Sequence, residues 1–176
     1  MRGVALTGTP GTGKSAVSRI LKKRGYSVTE VMELVRETGT SCTYSAREDC
    51  FIVDTAELTA RCAPLWSERG EVMIVEGHLA HYASCSSAIV LRCHPSRLFA
   101  RLEKRGWEKE KIMDNVRSEV LDVILIEAME RIKSIQEIDT SDMTPADTAG
   151  AVERAIRGKK NAPVKSRWRG EIEKWF

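Results

Sequence analysis

Short apolar runs alternate with segments whose apolar residues recur at helical spacing. Gly3-Val4-Ala5-Leu6-Thr7 predicts a buried strand. Beyond a glycine-rich stretch, Val17, Ile20 and Leu21 mark one face of a helix from Ser15 to Arg24, and Gly25 ends it. Val31 to Thr38 predicts a second short helix stopped by Gly39, and Thr40 to Asp49 reads as polar and irregular. Asp54, with Glu57 three residues on, has the pattern of a capping box and predicts a helix reaching about Arg69-Gly70. Val72-Met73-Ile74-Val75 and Ala88-Ile89-Val90-Leu91 are continuous apolar runs, as strands covered on both faces require. Pro95 suits the first turn of a helix through Leu98 and Leu102 that Gly106 closes. A long amphipathic segment follows from about Lys109 to Ile132. Ile135 to Ile138 predicts a last strand, and Pro145 opens a final helix towards Ile156. Strands alternating with helices imply an α/β protein of three layers, a parallel sheet flanked by helices, and 176 residues suit one domain.

Composition narrows the class. No apolar run approaches the roughly 20 residues that a membrane span needs, so no membrane role is expected. The first residues enter a strand directly, without a charged leader region and cleavage site, and a cytoplasmic location is the expectation. Cys42, Cys50, Cys62, Cys85 and Cys93 are odd in number and contain no Cys-x-x-Cys pair, which favours free thiols over a zinc site or a disulfide framework. The net charge of +3 is mild, but after Gly158 the chain sets Lys159, Lys160, Lys165, Arg167, Arg169 and Lys174 against only Glu171 and Glu173. That tail also holds Trp168, Trp175 and Phe176. Cations interleaved with aromatics suit RNA contact, and they equally suit a tail that packs its rings on the body and leaves its lysines in water.

The chemistry concentrates in Gly8-Thr9-Pro10-Gly11-Thr12-Gly13-Lys14-Ser15. This is a P-loop, set between a strand and a helix as its mechanism demands. Gly8, Gly11 and Gly13 permit the backbone to turn its N–H groups onto phosphates. The helix opening at Lys14 and running through Ala16 aims its positive end at the same anion. The Lys14 ammonium reaches the outer phosphates, and the Ser15 hydroxyl belongs in the shell of a Mg2+ ion. A second carboxylate at a neighbouring strand tip completes such sites. Glu76, directly after Val72 to Val75, is that candidate, so Ser15 and Glu76 form the expected metal pair. His78, two residues on, is a catalytic candidate or a hydrogen-bonding turn residue, with His81 nearby as a decoy. Asp147-Thr148-Ala149-Gly150 spells a tetrapeptide found in GTPases. It falls inside a predicted helix, and no Asn-Lys-x-Asp guanine-reading motif accompanies it.

Gly8 to Ser15, Val75-Glu76-Gly77-His78, Val90-Leu91-Arg92, Arg101 to Trp107, and Lys111 to Val116 followed by Glu119 resemble the adenylate kinase isoenzyme 6 family. Its members are nucleoside monophosphate kinases, also described as small ribosomal subunit maturation factors of archaea and eukaryotes. The resemblance spans roughly Met1 to Glu130, with a looser echo in Ile138-Asp139-Thr140. It implies a nucleoside monophosphate kinase-like fold, an AMP-binding segment over about 30–53 and a short lid over about 104–114. Arg36 matches an arginine that grips the AMP phosphate, and Arg105 matches a lid arginine that contacts ATP. The chain departs from eukaryotic members in two places: Glu76 and His78 replace Asp-x-His, and Ser45 follows Tyr44 where an acidic residue is common.

The implied reaction is the Mg2+-dependent conversion of ATP and AMP into ADP. The implied partners are a small-subunit ribosomal protein and ribosomal RNA. Three readings stand at this level: an adenylate kinase with ATPase activity, an ATP-switched ribosome assembly factor, and a P-loop kinase for some other small acceptor.

Overall fold

The computed structural model describes residues 1–46, 50–67, 70–159 and 168–176. A five-stranded sheet is built from β1 (Arg2–Thr7), β2 (Ser27–Glu30), β5 (Val72–Glu76), β6 (Ser87–Arg92) and β7 (Ser134–Asp139). Its order is β2-β5-β1-β6-β7, and every pairing is parallel. The intervening helices are α1 (Lys14–Lys23), α2 (Val31–Thr38), α3 (Thr55–Cys62), α4 (Pro95–Glu103), α5 (Lys109–Val120), α6 (Val123–Arg131) and α7 (Pro145–Ile156). A hairpin of β3 (Cys42–Ser45) and β4 (Cys50–Val53) stands apart from the main sheet, and α8 (Ile172–Trp175) ends the chain.

Strand periodicity explains the three layers. Ala5 and Val75 point to one face, where they pack with Val31, Leu34, Val35 and Leu58 from α2 and α3. Val4, Leu6 and Ile74 point to the other, where Val17 and Leu21 of α1 and Val152 of α7 cover them. A third cluster joins Leu98 and Leu102 of α4 to Ile112, Val116 and Val120 of α5. The central position of β1 puts its carboxyl end, and therefore the P-loop, in the crevice where chain connections diverge to opposite sides of the sheet.

Several punctuation marks act as read. Pro95 occupies the first turn of α4, Gly25, Gly39 and Gly106 take left-handed dihedrals after their helices, and the Asp54 carboxylate accepts from the Glu57 amide at 2.9 Å. The expected capping box is left half made, because the Asp54 amide donates to the Ser41 carbonyl and the Glu57 carboxylate accepts from the Ser41 amide and Arg61. The GTPase-like tetrapeptide lies within α7. All five cysteines are free.

Other expectations are corrected. The polar stretch after Thr40 includes strand β3, whose partner is β4. The helix after Asp54 stops at Cys62, because Pro64 leads into a 3-10 turn over Ala63–Leu65 and Trp66 is extended; Arg69 lies outside the described residues. The predicted segment from Lys109 to Ile132 is two helices. Asp122 takes φ 59 between them, and its carboxylate is bound to the Arg92 guanidinium, so a buried cation sets the break. The tail carries a further 3-10 turn, Trp168–Glu171, before α8.

Asp54→Ala removes the cap of α3. It is expected to cost about 1 kcal/mol and to lower Tm by about 2–4 °C for a chain of this size, read in a thermal melt.

Candidate active site

The loop from Gly8 to Gly13 folds as it does because its glycines supply conformations and clearances other residues lack. Gly8 has φ 137, and a Cβ there would sit 2.3 Å from the Leu91 carbonyl oxygen on β6. Gly13, at φ 104, forms the N-cap of α1. Among the described residues, the amides of Gly11, Gly13, Lys14 and Ser15 have no acceptor, so N–H groups at the head of α1 face the crevice. The Ala16 amide donates to the Gly13 carbonyl at 3.1 Å and belongs to the first helical turn.

Lys14 is buried. Its Nζ donates to the carbonyls of Gly8 at 2.6 Å and Thr9 at 3.1 Å. Desolvation lowers its pKa to about 8, against the opposing pull of Glu76 and Glu119, with Arg105 adding to the decrease. The Ser15 hydroxyl donates to Glu76 Oε1 at 3.2 Å. Glu76 is buried at the end of β5, opposite Leu6 of β1, and burial raises its pKa while Lys14 and the Ser15 hydroxyl work the other way. Two hard oxygen donors therefore meet beside a lysine, and the strained carboxylate gains from a cation. That chemistry fits Mg2+, which takes one or two protein oxygens and completes its shell with phosphate and water.

Arg105, exposed in the connection from α4 to α5, lines a cleft of 320 Å3 together with Gly11, Thr12, Gly13, Arg101 and Lys104. The expected lid over 104–114 is this short connection plus the start of α5. Arg36 lies exposed on α2, and its guanidinium makes no hydrogen bond or salt bridge to the described residues. The helix that carries it begins beside the site, because Glu30 of β2 is in register with Glu76. His78, just after Gly77, keeps part of its side chain exposed; desolvation of the ring, then Lys14 and His81, lower its pKa to about 4 against the pull of Glu127.

His81, the expected decoy, has a structural place. It is buried, with Nδ1 3.2 Å from the Thr7 hydroxyl and Nε2 3.0 Å from a Glu127 oxygen on α6. A neutral ring here donates from Nε2 to the carboxylate and accepts at Nδ1. The single Thr7 hydroxyl proton is then shared between Nδ1 and the His78 carbonyl, also 3.2 Å away, and this arrangement ties β1 to the turn after β5.

Sequence reading gave no role to several groups that hold the loop. The Thr140 hydroxyl lies 2.9 Å from the carbonyls of both Thr12 and Arg92, and Arg101 binds Thr140. Arg92, buried, binds Glu119, Asp122 and Glu137; although burial opposes its charge, Glu119 and Asp122 keep its pKa raised. Arg92, Arg101, Glu119 and Thr140 all fall within the resembling segments, and only long-range packing reveals what they touch. Two tail aromatics are docked: Trp168 is buried and Trp175 packs on Phe99, while Phe176 is exposed. Lys160, Lys165 and Arg167 lie outside the described residues.

The family model described as AAA domain matches residues 4–122. A relative from Archaeoglobus fulgidus, named "Putative adenylate kinase", is 42% identical over 175 residues, covering 97% of this chain and 93% of its own. Relatives of the same name from Methanosarcina acetivorans and Methanothermobacter thermautotrophicus are 40% and 36% identical, covering 87% and 91% of this chain and 85% and 92% of theirs. Among solved structures, shikimate kinase from Acinetobacter baumannii in complex with shikimate matches with a TM-score of 0.58 at 15% identity, over 90% of this chain and 94% of that one. At that identity the likeness establishes the fold alone, a parallel sheet flanked by helices.

Gly8→Ala is expected to abolish pyrophosphate binding, because the added carbon meets the Leu91 carbonyl and the left-handed turn is lost. Calorimetry checks this, with circular dichroism to verify that the sheet persists.

Proposed function

The chain belongs to the AAA domain family and, within it, to the group formed by these archaeal adenylate kinase relatives, and from that premise we propose that it is an adenylate kinase catalysing ATP + AMP ⇌ 2 ADP. The observation that carries the proposal is the buried Lys14 ammonium, set against the Ser15–Glu76 pair at the tip of the central strands. A kinase for nucleotides is the class that the fold and the relatives support; the acceptor and the residue roles are this proposal's own.

The P-loop amides and Lys14 bind the triphosphate, and Arg105 closes over it from the 320 Å3 cleft. Arg36 holds the acceptor phosphate. Ser15 and Glu76 hold Mg2+, which when bound supplies charge neutralisation at the phosphate oxygens. Phosphoryl transfer passes through a loose transition state, so positioned cations supply most of the catalysis. An acceptor phosphate with a second pKa of about 6 is ionised near neutrality and needs no base. Water must be excluded, which is the task of the α4–α5 connection over the loop.

A second reading has its own support. His78 follows the Glu76 strand tip by two residues and feels the charge of Lys14, a place from which its ring can orient a water towards the γ-phosphate. Slow hydrolysis would then make the protein an ATP-switched factor in small ribosomal subunit maturation, with a ribosomal protein or ribosomal RNA as partner. The exposed Tyr44, Phe51 and Ile52 on the β3–β4 hairpin give that partner an apolar contact surface.

In a coupled assay, ADP formation is expected to depend on AMP. Arg36→Ala should raise the KM for AMP about tenfold or more, as expected for loss of a charge-assisted bond, and leave ATP affinity unchanged. His78→Ala should lower hydrolysis more than AMP phosphorylation; equal losses count against a hydrolytic role. The Lys14 pKa sets the pH profile. Below about pH 8 the ammonium is present in the free protein. Above it, ATP binding must take up a proton, so affinity should fall towards tenfold per pH unit, with proton uptake visible calorimetrically in buffers of different ionisation enthalpy.

A further inference from the structure

Glu119 is a buried carboxylate on α5 that faces the P-loop from behind. Its Oε1 accepts from Arg92 Nε at 2.8 Å, from the Cys93 amide at 3.1 Å and from the Trp168 indole at 3.3 Å. Its Oε2 accepts from the Thr9 hydroxyl at 2.5 Å. Thr9 is the second residue of the phosphate loop, and its carbonyl accepts from Lys14 Nζ, from the Thr12 hydroxyl and from the Thr12 amide. A continuous chain of hydrogen bonds therefore runs from the C-terminal segment through one carboxylate to the P-loop lysine.

The rest of the tail is built to hold Trp168 there. Its ring meets the edge of His94, with centroids 5.1 Å apart, and Trp175 packs on Phe99 of α4. Arg117 of α5 donates to the Trp175 carbonyl at 3.1 Å, and Lys174 binds the Ser96 hydroxyl at 2.9 Å. A tail that only hid its aromatic rings could use any apolar face. This one places an indole N–H on the carboxylate that also carries Thr9.

We infer that residues 168–176 are part of the nucleotide site: docking of Trp168 on Glu119 fixes Thr9 and so presets the P-loop for phosphate, with Trp168 and Glu119 as positioning residues. The inference rests on the P-loop reading above. A carboxylate with its acceptor sites filled has one orientation; with the indole gone, Glu119 can turn about its Arg92 bond and release Thr9. Coupling between two sites is reciprocal. Nucleotide binding must therefore tighten the tail, and a partner that captures the tail must weaken nucleotide binding.

Two measurements on the full chain test this. Trp168→Phe keeps the packing against His94 and removes only the N–H donor. The Kd for MgATP should rise about three- to tenfold, in the range of one hydrogen bond to a charged group, with the KM for AMP unchanged. In the wild-type protein, saturating MgATP should slow amide hydrogen exchange across residues 168–176, and Glu119→Gln should abolish that slowing. Exchange in the tail indifferent to MgATP overturns the inference, and so does Trp168→Phe binding MgATP as the wild type does. If Trp168→Phe fails to fold, the wild-type exchange measurement decides alone. Lys14→Ala separates the two levels: if it binds MgATP normally, the P-loop reading itself fails; if it does not while tail exchange ignores MgATP, only this inference falls.

Discussion

A lysine side chain taken out of water at the tip of a central strand must find oxygen on every side, and the architecture around Lys14 follows from that requirement. Its ammonium is met by the Gly8 and Thr9 carbonyls, with Glu76 on one side and Glu119 on the other contributing opposite charge. The loop can wrap so closely only because Gly8 has no side chain where the Leu91 carbonyl passes. The parallel sheet then serves to bring β5 and β6 against β1, so that Glu76 and Leu91 arrive at the same loop from opposite sides. A cation held in this way is under tension: burial disfavours its charge, and a bound polyphosphate relieves that cost.

The same logic orders the surroundings of the site. On one side of the loop lies the cleft lined by Arg101, Lys104 and Arg105; on the other, α2 begins where Glu30 of β2 lies beside Glu76. The cations of the cleft and the buried Lys14 suit a polyanion bound at the loop. His81 and Glu127 stabilise the turn after β5, while His78 is left at the surface of the site. The tail adds support from behind through Trp168 and Glu119.

What the sequence made legible was whatever depends on local chemistry. The phosphate loop was readable because left-handed glycines at fixed spacing, between an apolar strand and an amphipathic helix, have few other uses. Glu76 was readable as the first polar residue after a buried strand. Strand β2 escaped notice because Ser27 to Glu30 is a half-exposed edge strand with no apolar run. Neither strand of the hairpin is legible: β3 is mostly exposed and polar, and the apolar run Cys50 to Val53 of β4 is short and half exposed. The break between α5 and α6 carries neither glycine nor proline; it follows from the pull of Arg92 on Asp122, a partner 30 residues away. Glu119 was visible as part of a motif, but its bond to Thr9 spans 110 positions and belongs to packing alone.

The central claim is that two phosphate-bearing nucleotides meet head to head, one on the P-loop and one on α2. The most direct measurement is calorimetric binding of a dinucleoside pentaphosphate, two adenosines joined through five phosphates, in the presence of Mg2+. The account predicts that this molecule binds at one-to-one stoichiometry, at least about a hundredfold more tightly than ATP, because one ligand then fills both sites. Affinity no greater than that of ATP would contradict it, since no second phosphate site would face the first.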